Sequence, residues 1–282
     1  MTTPRYARPD SLRDVTVVVL AGGRATRLAS LGSPLPKAML PIGNQPYIGY
    51  LAAHYLRLGA TAVRVAAGHR GEAITEYFDT GPWQGSPVVV DVSDPQGTGY
   101  DLARTARAVR TSRVLLVMGD IVVDFDPLAL AAHFAATPAL CTLVVSDRSP
   151  QNQGALAVRA DGLLLASDEA GPDATGYPGT VGARKSSTGA ALIDRAALAA
   201  VELRTGASME RDLFPRWISL GQMDTFDIGE AFFWDYGTPE RYQFIAERPD
   251  TVLRLYGPAR PGTPIPRPGA SLEPDPSAEG RR

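Results

Sequence analysis

A short apolar run that ends in paired glycines is the feature that most constrains this chain. Residues 15–20 are rich in β-branched side chains, which is typical of a buried strand, and the run stops at Gly22 and Gly23. Paired glycines let backbone N–H groups approach phosphate, and Arg27 supplies a forked cation suited to phosphate oxygens. The stretch favours a phosphate-binding turn, although an ordinary strand-to-helix turn with surface arginines fits it equally well.

A regular alternation of predicted strands and helices follows this turn. Apolar runs predict strands at 62–67, 88–92 and 114–118, and amphipathic spacing predicts helices at 46–58, 71–79 and 100–109. Such alternation is typical of right-handed βαβ units around a mainly parallel sheet. We therefore predict a Rossmann-like α/β fold flanked by helices, to which short apolar pieces after residue 151 add hairpins.

Three predicted loops are expected to meet in one crevice. In parallel sheets, ligands bind outside the carboxyl ends of the strands. The Gly22-Gly23 turn, the Gly97-Thr98-Gly99 turn and Asp120 all fall at such ends. Lys37 lies in a proline-rich segment that holds an extended path and can point a side chain at a ligand.

The chain divides into three segments by composition. Its 282 residues are enough for one large α/β domain, which we assign to residues 15–248. The polar residues 1–14 predict a flexible N-terminal segment, and the Pro/Gly-rich residues 249–282 predict a disordered tail.

Charge and hydropathy exclude several classes of partner. A net charge of -2 gives no electrostatic case for nucleic acid or an anionic membrane. No apolar stretch approaches the roughly 18–20 residues that span a bilayer, and no secretory signal is visible, so we expect a cytoplasmic protein. The single cysteine, Cys141, excludes an internal disulfide. Only two of the 28 lysines and arginines are lysines, Lys37 and Lys185, which makes both worth inspecting.

An ordered series of motifs runs through residues 15–247. It comprises Leu20-Ala21-Gly22-Gly23-x-x-Thr26-Arg27-Leu28, Pro36-Lys37-x-Met39-Leu40-Pro41-Ile42, Gly97-Thr98-Gly99, Met118-Gly119-Asp120, Gly189-Ala190, Glu210 with Phe214-Pro215, and Trp234-Asp235-Tyr236-Gly237-Thr238-Pro239. The series resembles the signature of sugar-1-phosphate nucleotidyltransferases. Its ending is most similar to the short members, among them the mannose- and heptose-1-phosphate guanylyltransferases.

The resemblance implies a fold of the nucleotide-diphospho-sugar transferase type and a specific reaction. A nucleoside monophosphate is transferred from a nucleoside triphosphate, GTP in that branch, to a sugar 1-phosphate, and pyrophosphate is released. The nucleotide-sugar would serve glycan or glycosylated natural-product biosynthesis. Both substrates are the expected partners, and a homo-oligomer is compatible with the sequence.

The resemblance also assigns residues to roles. Arg27 and Lys37 would be the catalytic residues, and Asp120 and Asp235 would hold a Mg²⁺ ion. Glu210 and Lys185 would bind the sugar phosphate. The nucleotide-binding residues are Leu20, Ala21, Gly22, Gly23, Thr26, Gly97 and Thr98.

Several of these residues also have a purely structural interpretation. Two positions depart from the family pattern. Asp120 can be a turn former, Asp235 a helix cap, and Glu210 a first-turn carboxylate. Ala25 stands where the family has a further glycine, which leaves the path of the phosphate loop open. Glu169-Ala170 lacks the lysine that usually binds the sugar phosphate, and Lys185 is offset toward Gly189.

Other functions remain open at this point. A glycosyltransferase would use Asp124-Phe125-Asp126 as a metal motif, although Asp126-Pro127 also reads as a helix start. A choline-phosphate-type cytidylyltransferase uses similar chemistry. A catalytically inactive nucleotide-binding homologue would explain the departures at Ala25 and Ala170.

Overall fold

The computed structural model describes residues 9–23, 26–33, 35–148, 155–159, 162–167 and 183–257. Within these ranges the strands are β1 (Val15–Ala21), β2 (Pro41–Ile42), β3 (Gln45–Pro46), β4 (Ala62–Ala67), β5 (Val88–Val92), β6 (Arg113–Met118), β7 (Ile121–Val123), β8 (Cys141–Ser146), β9 (Ala155–Val158), β10 (Leu164–Ser167), β11 (Ala183–Asp194), β12 (Met223–Asp227) and β13 (Phe233–Asp235). The α-helices are α1 (Tyr47–Arg57), α2 (Gly71–Asp79), α3 (Thr98–Arg107), α4 (Pro127–Ala136), α5 (Arg195–Ala200), α6 (Phe214–Ser219), α7 (Pro239–Ala246) and α8 (Pro249–Tyr256).

Short helical turns complete the list of elements. Turns of 3-10 helix lie at Thr26–Leu31, Lys37–Met39 and Gly81–Trp83, and a π-helical turn at Met209–Leu213 leads into α6. The helix α1 has 11 residues. Throughout the described ranges, no helix is long and apolar enough to cross a membrane.

Nine strands form one sheet with a parallel half and a mixed, mainly antiparallel half. In the parallel half, β1 lies between β4 and β6, and β5 extends the sheet beyond β4. In the other half, β11 runs antiparallel to β6, β8 and β9, and β10 pairs with β9. β12 is parallel to β8. The predicted Rossmann-like fold with added hairpins is confirmed.

The sheet is covered on both faces, and β1 shows how the sequence dictates this. Successive side chains of a strand point to opposite faces. Val17 and Val19 pack in one apolar cluster, which contains buried residues of α1 and α8. Val18 and Leu20 pack in the other, with buried residues of α3 and α6. A continuous apolar run is therefore required at β1, because neither face of the strand meets water.

The N-terminal segment is not flexible throughout. Leu12 is only 2% exposed and belongs to the core, and its backbone N–H donates to the Leu58 carbonyl over 2.8 Å. The prediction of a flexible segment 1–14 is therefore wrong for residues 9–14, because one apolar side chain anchors them. Residues 1–8 lie outside the described ranges.

The predicted disordered tail begins too early. Residues 249–256 form α8, in which Val252 and Tyr256 are buried. The Tyr256 hydroxyl donates to the Val123 carbonyl over 3.0 Å and accepts from the Val123 N–H over 2.9 Å. A proline at the first helical position and these anchors define a helix that the composition of the tail concealed. Residues 258–282 lie outside the described ranges.

Candidate active site

A cavity of about 400 Å³ opens at the carboxyl edge of the parallel strands. Lys37 and Asp120 line it, together with six of the predicted nucleotide-binding residues: Leu20, Ala21, Gly22, Gly23, Gly97 and Thr98. The expected convergence of the three loops on one crevice is confirmed. The topology explains it, because β1, β4 and β6 are parallel and present their carboxyl ends together.

Among the described residues, neither backbone conformation nor packing requires glycine at the pair after β1. Neither Gly22 nor Gly23 has a positive φ. A Cβ on Gly23 would meet no atom of the described residues within 4 Å, and one on Gly22 would come no closer than 3.8 Å to Gly68. Glycine at both positions therefore leaves the backbone uncovered at the cavity, which is what the close approach of a phosphate requires.

Gly68, in the loop after β4, packs against the backbone of Gly22, and the sequence motifs assigned it no role. A Cβ on Gly68 would lie 2.4 Å from the Gly22 carbonyl oxygen and 2.7 Å from the Cγ of Pro95. Only glycine lets the loop after β4 close on the loop after β1. Its position directly after the predicted strand 62–67 was the available signal.

Lys37 and Asp120 form an ion pair at the cavity. The Lys37 Nζ donates to the Asp120 Oδ2 over 2.9 Å, with the two side chains 19% and 22% exposed. Pro36 is extended (φ -57°, ψ 152°) and directly precedes the 3-10 turn, which begins at the lysine. A proline-set turn thus delivers the ammonium to the carboxyl end of β6.

Asp235 approaches the same place on β13. β13 pairs antiparallel with β7, and the Tyr236 N–H donates to the Asp120 carbonyl over 3.1 Å. The Asp235 carboxylate accepts from the Gly237 N–H over 2.6 Å and pairs with Arg241 at 3.3 Å. A Cβ on Gly237 would lie 2.9 Å from the Asp235 Oδ1 and 3.7 Å from the Lys37 Nζ, so the lysine and both aspartates are neighbours.

Tyr236 joins the segment that carries Asp235 to the segment that carries Asp120, and the sequence motifs assigned it no role. Its buried hydroxyl donates to the Gly119 carbonyl over 2.8 Å. Burial, reinforced by the nearby Asp120 carboxylate, raises the pKa of Tyr236 well above its usual value, so the hydroxyl stays protonated. Its position directly after Asp235 in the final motif was the signal.

Thr26 and Arg27 begin the 3-10 turn after the glycine loop and are exposed, whereas Leu28 is buried. The Arg27 guanidinium forms no ion pair with a described residue. Neither Thr26 nor Arg27 is among the residues that line the cavity. Ala25, whose effect on the loop path was left open, lies outside the described residues.

The glycines of the Gly97-Thr98-Gly99 turn fit closely against the segment 206–209. Gly97 has a φ of +101°, and its Cβ would lie 2.4 Å from the Ala207 carbonyl oxygen. A Cβ on Gly99 would lie 2.9 Å from Ser208 backbone atoms. The Thr98 Oγ1 accepts from the Met209 N–H over 3.1 Å. The motif therefore joins the cavity wall to the segment that carries Glu210.

Glu210 is held at a helix start and does not line the cavity. Its carboxylate accepts from the Ser208 hydroxyl over 2.7 Å, and the Ser208 Oγ accepts from the Glu210 N–H. Ser208 caps the π-helical turn, which accounts for a carboxylate there without a ligand. The predicted contact of Glu210 with the sugar phosphate stays a prediction.

Lys185 is not brought to the cavity. Its ammonium lies 2.5 Å from Asp147 and 2.7 Å from Asp227, and its side chain is 10% exposed. Burial lowers the pKa of Lys185, but the hydrogen bonds to the two carboxylates outweigh it and raise that pKa above its usual value. Glu169 and Ala170 lie outside the described residues.

The aspartates of the alternative metal motif have other partners. The Asp126 Oδ1 accepts from the Leu128 and Ala129 N–H groups over 3.0 and 3.1 Å and so caps α4. Asp124 lies 3.8 Å from Arg254 on α8. The interpretation of Asp126 as the residue that begins a helix is confirmed.

Fold and site together define a class of protein. A sheet whose parallel strands end in an open glycine loop, with a lysine and two aspartates at the same edge, is the arrangement of an α/β nucleotidyltransferase. Residues 17–208 match the family model of the MobA-like NTP transferase domain. That match covers more than half of the chain, which belongs to this family.

Curated relatives include sugar-1-phosphate guanylyltransferases. The chain is 24% identical over 227 residues to the D-glycero-alpha-D-manno-heptose 1-phosphate guanylyltransferase of Aneurinibacillus thermoaerophilus, covering 80% of this chain and 94% of the relative. It is 26% identical over 231 residues to the mannose-1-phosphate guanylyltransferase of Mycobacterium tuberculosis, covering 81% of this chain and 62% of the relative.

Solved structures share the fold. HddC from Yersinia pseudotuberculosis superposes with a TM-score of 0.67 at 20% identity, over 83% of this chain and 98% of HddC. The inositol-1-phosphate CTP transferase of T. maritima gives a TM-score of 0.65 at 16% identity, over 87% and 98% of the two chains.

Proposed function

We propose that this protein transfers a nucleoside monophosphate from GTP to a sugar 1-phosphate and releases pyrophosphate. One observation carries the proposal: the Lys37–Asp120 pair lies in the same cavity wall as Gly22 and Gly23, at which no contact with a described residue requires glycine. The choice of GTP, and of a heptose or mannose 1-phosphate as acceptor, follows the guanylyltransferase relatives.

The reaction needs positioning and positive charge rather than a protein nucleophile. An oxygen of the sugar phosphate attacks the α-phosphorus, the bond to the bridging oxygen of the β-phosphate breaks, and pyrophosphate leaves with that electron pair. Negative charge collects on the phosphate oxygens in the transition state. The Lys37 ammonium would neutralise charge at the α-phosphate, and the Gly22 and Gly23 backbone would accommodate the triphosphate. The exposed Arg27 would bind the leaving pyrophosphate.

The residues at the sheet edge suit a magnesium ion. Mg²⁺ prefers hard oxygen donors and is usually held by one or two carboxylates, together with waters and substrate phosphates. Asp120 and Asp235 supply such carboxylates on the neighbouring segments that the Tyr236 backbone bond joins. No group of three or more potential metal-ligating residues occurs in the described ranges, so a dedicated all-protein cage is not part of the proposal. When bound, the ion would supply electrophilic activation of the phosphates.

A panel of substrates tests the proposal. Pyrophosphate release is measured with Mg²⁺ for five nucleoside triphosphates against mannose, heptose and glucose 1-phosphates, and the product is identified by mass. Phosphocholine as acceptor tests the cytidylyltransferase alternative. We expect turnover with GTP and a sugar 1-phosphate. Silence on every pair, from folded protein that still binds nucleotide, would instead support the inactive homologue.

A further inference from the structure

A buried carboxylate, Asp101, belongs to the wall of the cavity that Lys37 and Asp120 also line. Asp101 lies in the first turn of α3, is 9% exposed and lines the cavity. α3 packs in the apolar cluster on one face of the sheet, whereas the turn that carries Lys37 packs in the cluster on the other face. The two charged groups therefore reach the cavity from different faces.

One oxygen of this carboxylate has spare acceptor capacity. The Asp101 Oδ2 accepts from the Gln96 N–H over 3.2 Å. The buried Oδ1 has no hydrogen-bond partner among the described residues, and its ion pair with the Arg104 guanidinium is long, at 3.9 Å. Burial raises the pKa of Asp101, against the lowering effects of Gln96 and Arg104. A buried acceptor left without a donor is costly, which points to a donor that the described residues do not supply.

Among the side chains of residues 97–99 and 101, Asp101 is the one with an oxygen available to accept a hydrogen bond from a ligand. Gly97 and Gly99 have no side chains, and the Thr98 oxygen already accepts from the Met209 N–H. A carboxylate turns through a broad torsional well about its Cβ–Cγ bond, so the Gln96 N–H and a ligand can both be served.

The chemistry of a carboxylate selects its ligand group. It repels phosphate, so the triphosphate belongs at the Lys37 end and the nucleoside at the Asp101 end. Guanine carries two adjacent donors, N1–H and the 2-amino group, that match two carboxylate oxygens. Uracil and thymine offer one ring N–H between two acceptors, and adenine and cytosine offer an amino group beside an acceptor nitrogen.

We propose that Asp101 is the specificity-determining residue that reads the N1–H and 2-amino group of a guanine nucleotide. The proposal rests on the proposed function for the identity of the cavity as a nucleotide site. It names one side chain and one edge of the base, which makes it testable separately from turnover.

Purine analogues test it by exchanging donors. The wild-type protein and Asp101→Asn are compared on GTP, on ITP, which lacks the 2-amino group, and on XTP, which has a carbonyl at that position. An amide offers one acceptor and one donor, which complement N1–H and the 2-carbonyl of xanthine. We expect the wild type to prefer GTP over ITP by tenfold or more in kcat/KM, and Asp101→Asn to shift the XTP/GTP ratio by a hundredfold or more toward XTP.

Binding measurements and a control keep the outcomes distinct. Thermal shifts with GDP, IDP and XDP report base selectivity even if no acceptor is turned over, so failure of the proposed function does not hide the result. Asp94→Asn, an exposed neighbour in the same loop, should leave all ratios unchanged. An unchanged GTP/ITP/XTP ratio in a folded Asp101→Asn would overturn the proposal. So would an equal loss for all three nucleotides, which would mean a contact to ribose or to the Gln96 loop alone.

Discussion

The Lys37 ammonium donates a hydrogen bond of 2.9 Å to the Asp120 carboxylate across 83 residues of sequence. The contact joins a proline-set turn to the end of β6, beside the glycine loop that ends β1. It fixes the cation and the carboxylate of the proposed reaction in one geometry before any substrate is present. The cost of ordering these groups is thereby met in folding rather than in the reaction.

Replacing Lys37 should reduce turnover more than binding. Lys37→Met removes the cation from the developing phosphate charge, and we expect kcat to fall by about 10²–10³-fold with a smaller change in KM for GTP. Lys37→Arg should recover only part of the rate, because a planar fork does not reproduce a compact ammonium. Steady-state kinetics check this, with the exposed Arg13→Met as a charge-matched control. Full activity in Lys37→Met would remove the lysine from the mechanism.

Thr98 should couple the two sides of the cavity. Thr98→Val keeps the shape of the side chain but leaves the Met209 N–H without its acceptor, at a cost of about 1 kcal/mol in the free energy of unfolding. Since Met209 precedes Glu210, we expect KM to rise for both GTP and the sugar 1-phosphate. Thr98→Ser should behave as the wild type. A rise confined to GTP would mean that Thr98 serves the nucleotide alone.

His54 predicts acid sensitivity of the fold. Burial, helped by the Arg57 charge, lowers the pKa of His54 from 6.5 to about 4. The unfolded chain protonates His54 at a higher pH than the folded chain does. The contribution of the neutral imidazole to the free energy of unfolding is therefore complete above about pH 6.5. It is lost as the pH falls to about 4, a change of roughly 3 kcal/mol. Denaturant unfolding of the wild type and His54→Gln from pH 7.5 to 4 measures it. The exposed His69→Gln should keep the wild-type slope; an unchanged slope in His54→Gln would contradict the assignment.

Lys185 should stabilise the fold rather than bind substrate. In Lys185→Met the Asp147 and Asp227 carboxylates face each other without their cation, and we expect a loss of about 1 kcal/mol, or a Tm lower by roughly 2–4 °C. The KM for sugar 1-phosphate should stay within about twofold. Adding Asp147→Asn should recover part of the Tm. A tenfold rise in that KM at unchanged Tm would return Lys185 to the sugar-phosphate site.

Local signals predicted the elements around the site well. The strands 62–67 and 88–92 and the helix 71–79 were predicted with the bounds that the structure shows, because apolar periodicity and flanking breakers are read within one element. The convergence of three loops followed from parallel topology alone.

Contacts between distant segments were out of reach of the sequence. The residues around Lys185 in the sequence do not indicate its ion pairs with Asp147, 38 residues before it, and Asp227, 42 residues after it. The glycines of the Gly97-Thr98-Gly99 turn were assigned to the nucleotide, yet their close fit is to residues 207 and 208. Asp101 carried no motif, and only its burial in the cavity wall distinguishes it from an ordinary first-turn carboxylate.

The most direct test of the account is the Mg²⁺-dependent release of pyrophosphate from GTP and a sugar 1-phosphate by Asp120→Asn beside Asp124→Asn. Both aspartates flank β7, but only Asp120 lines the cavity. With both variants folded, as circular dichroism and Tm should verify, we predict a loss of about 10³-fold or more for Asp120→Asn and a rate within twofold of the wild type for Asp124→Asn. Wild-type turnover by Asp120→Asn, or the reverse pattern, would contradict the assignment of this cavity as the nucleotidyltransferase site.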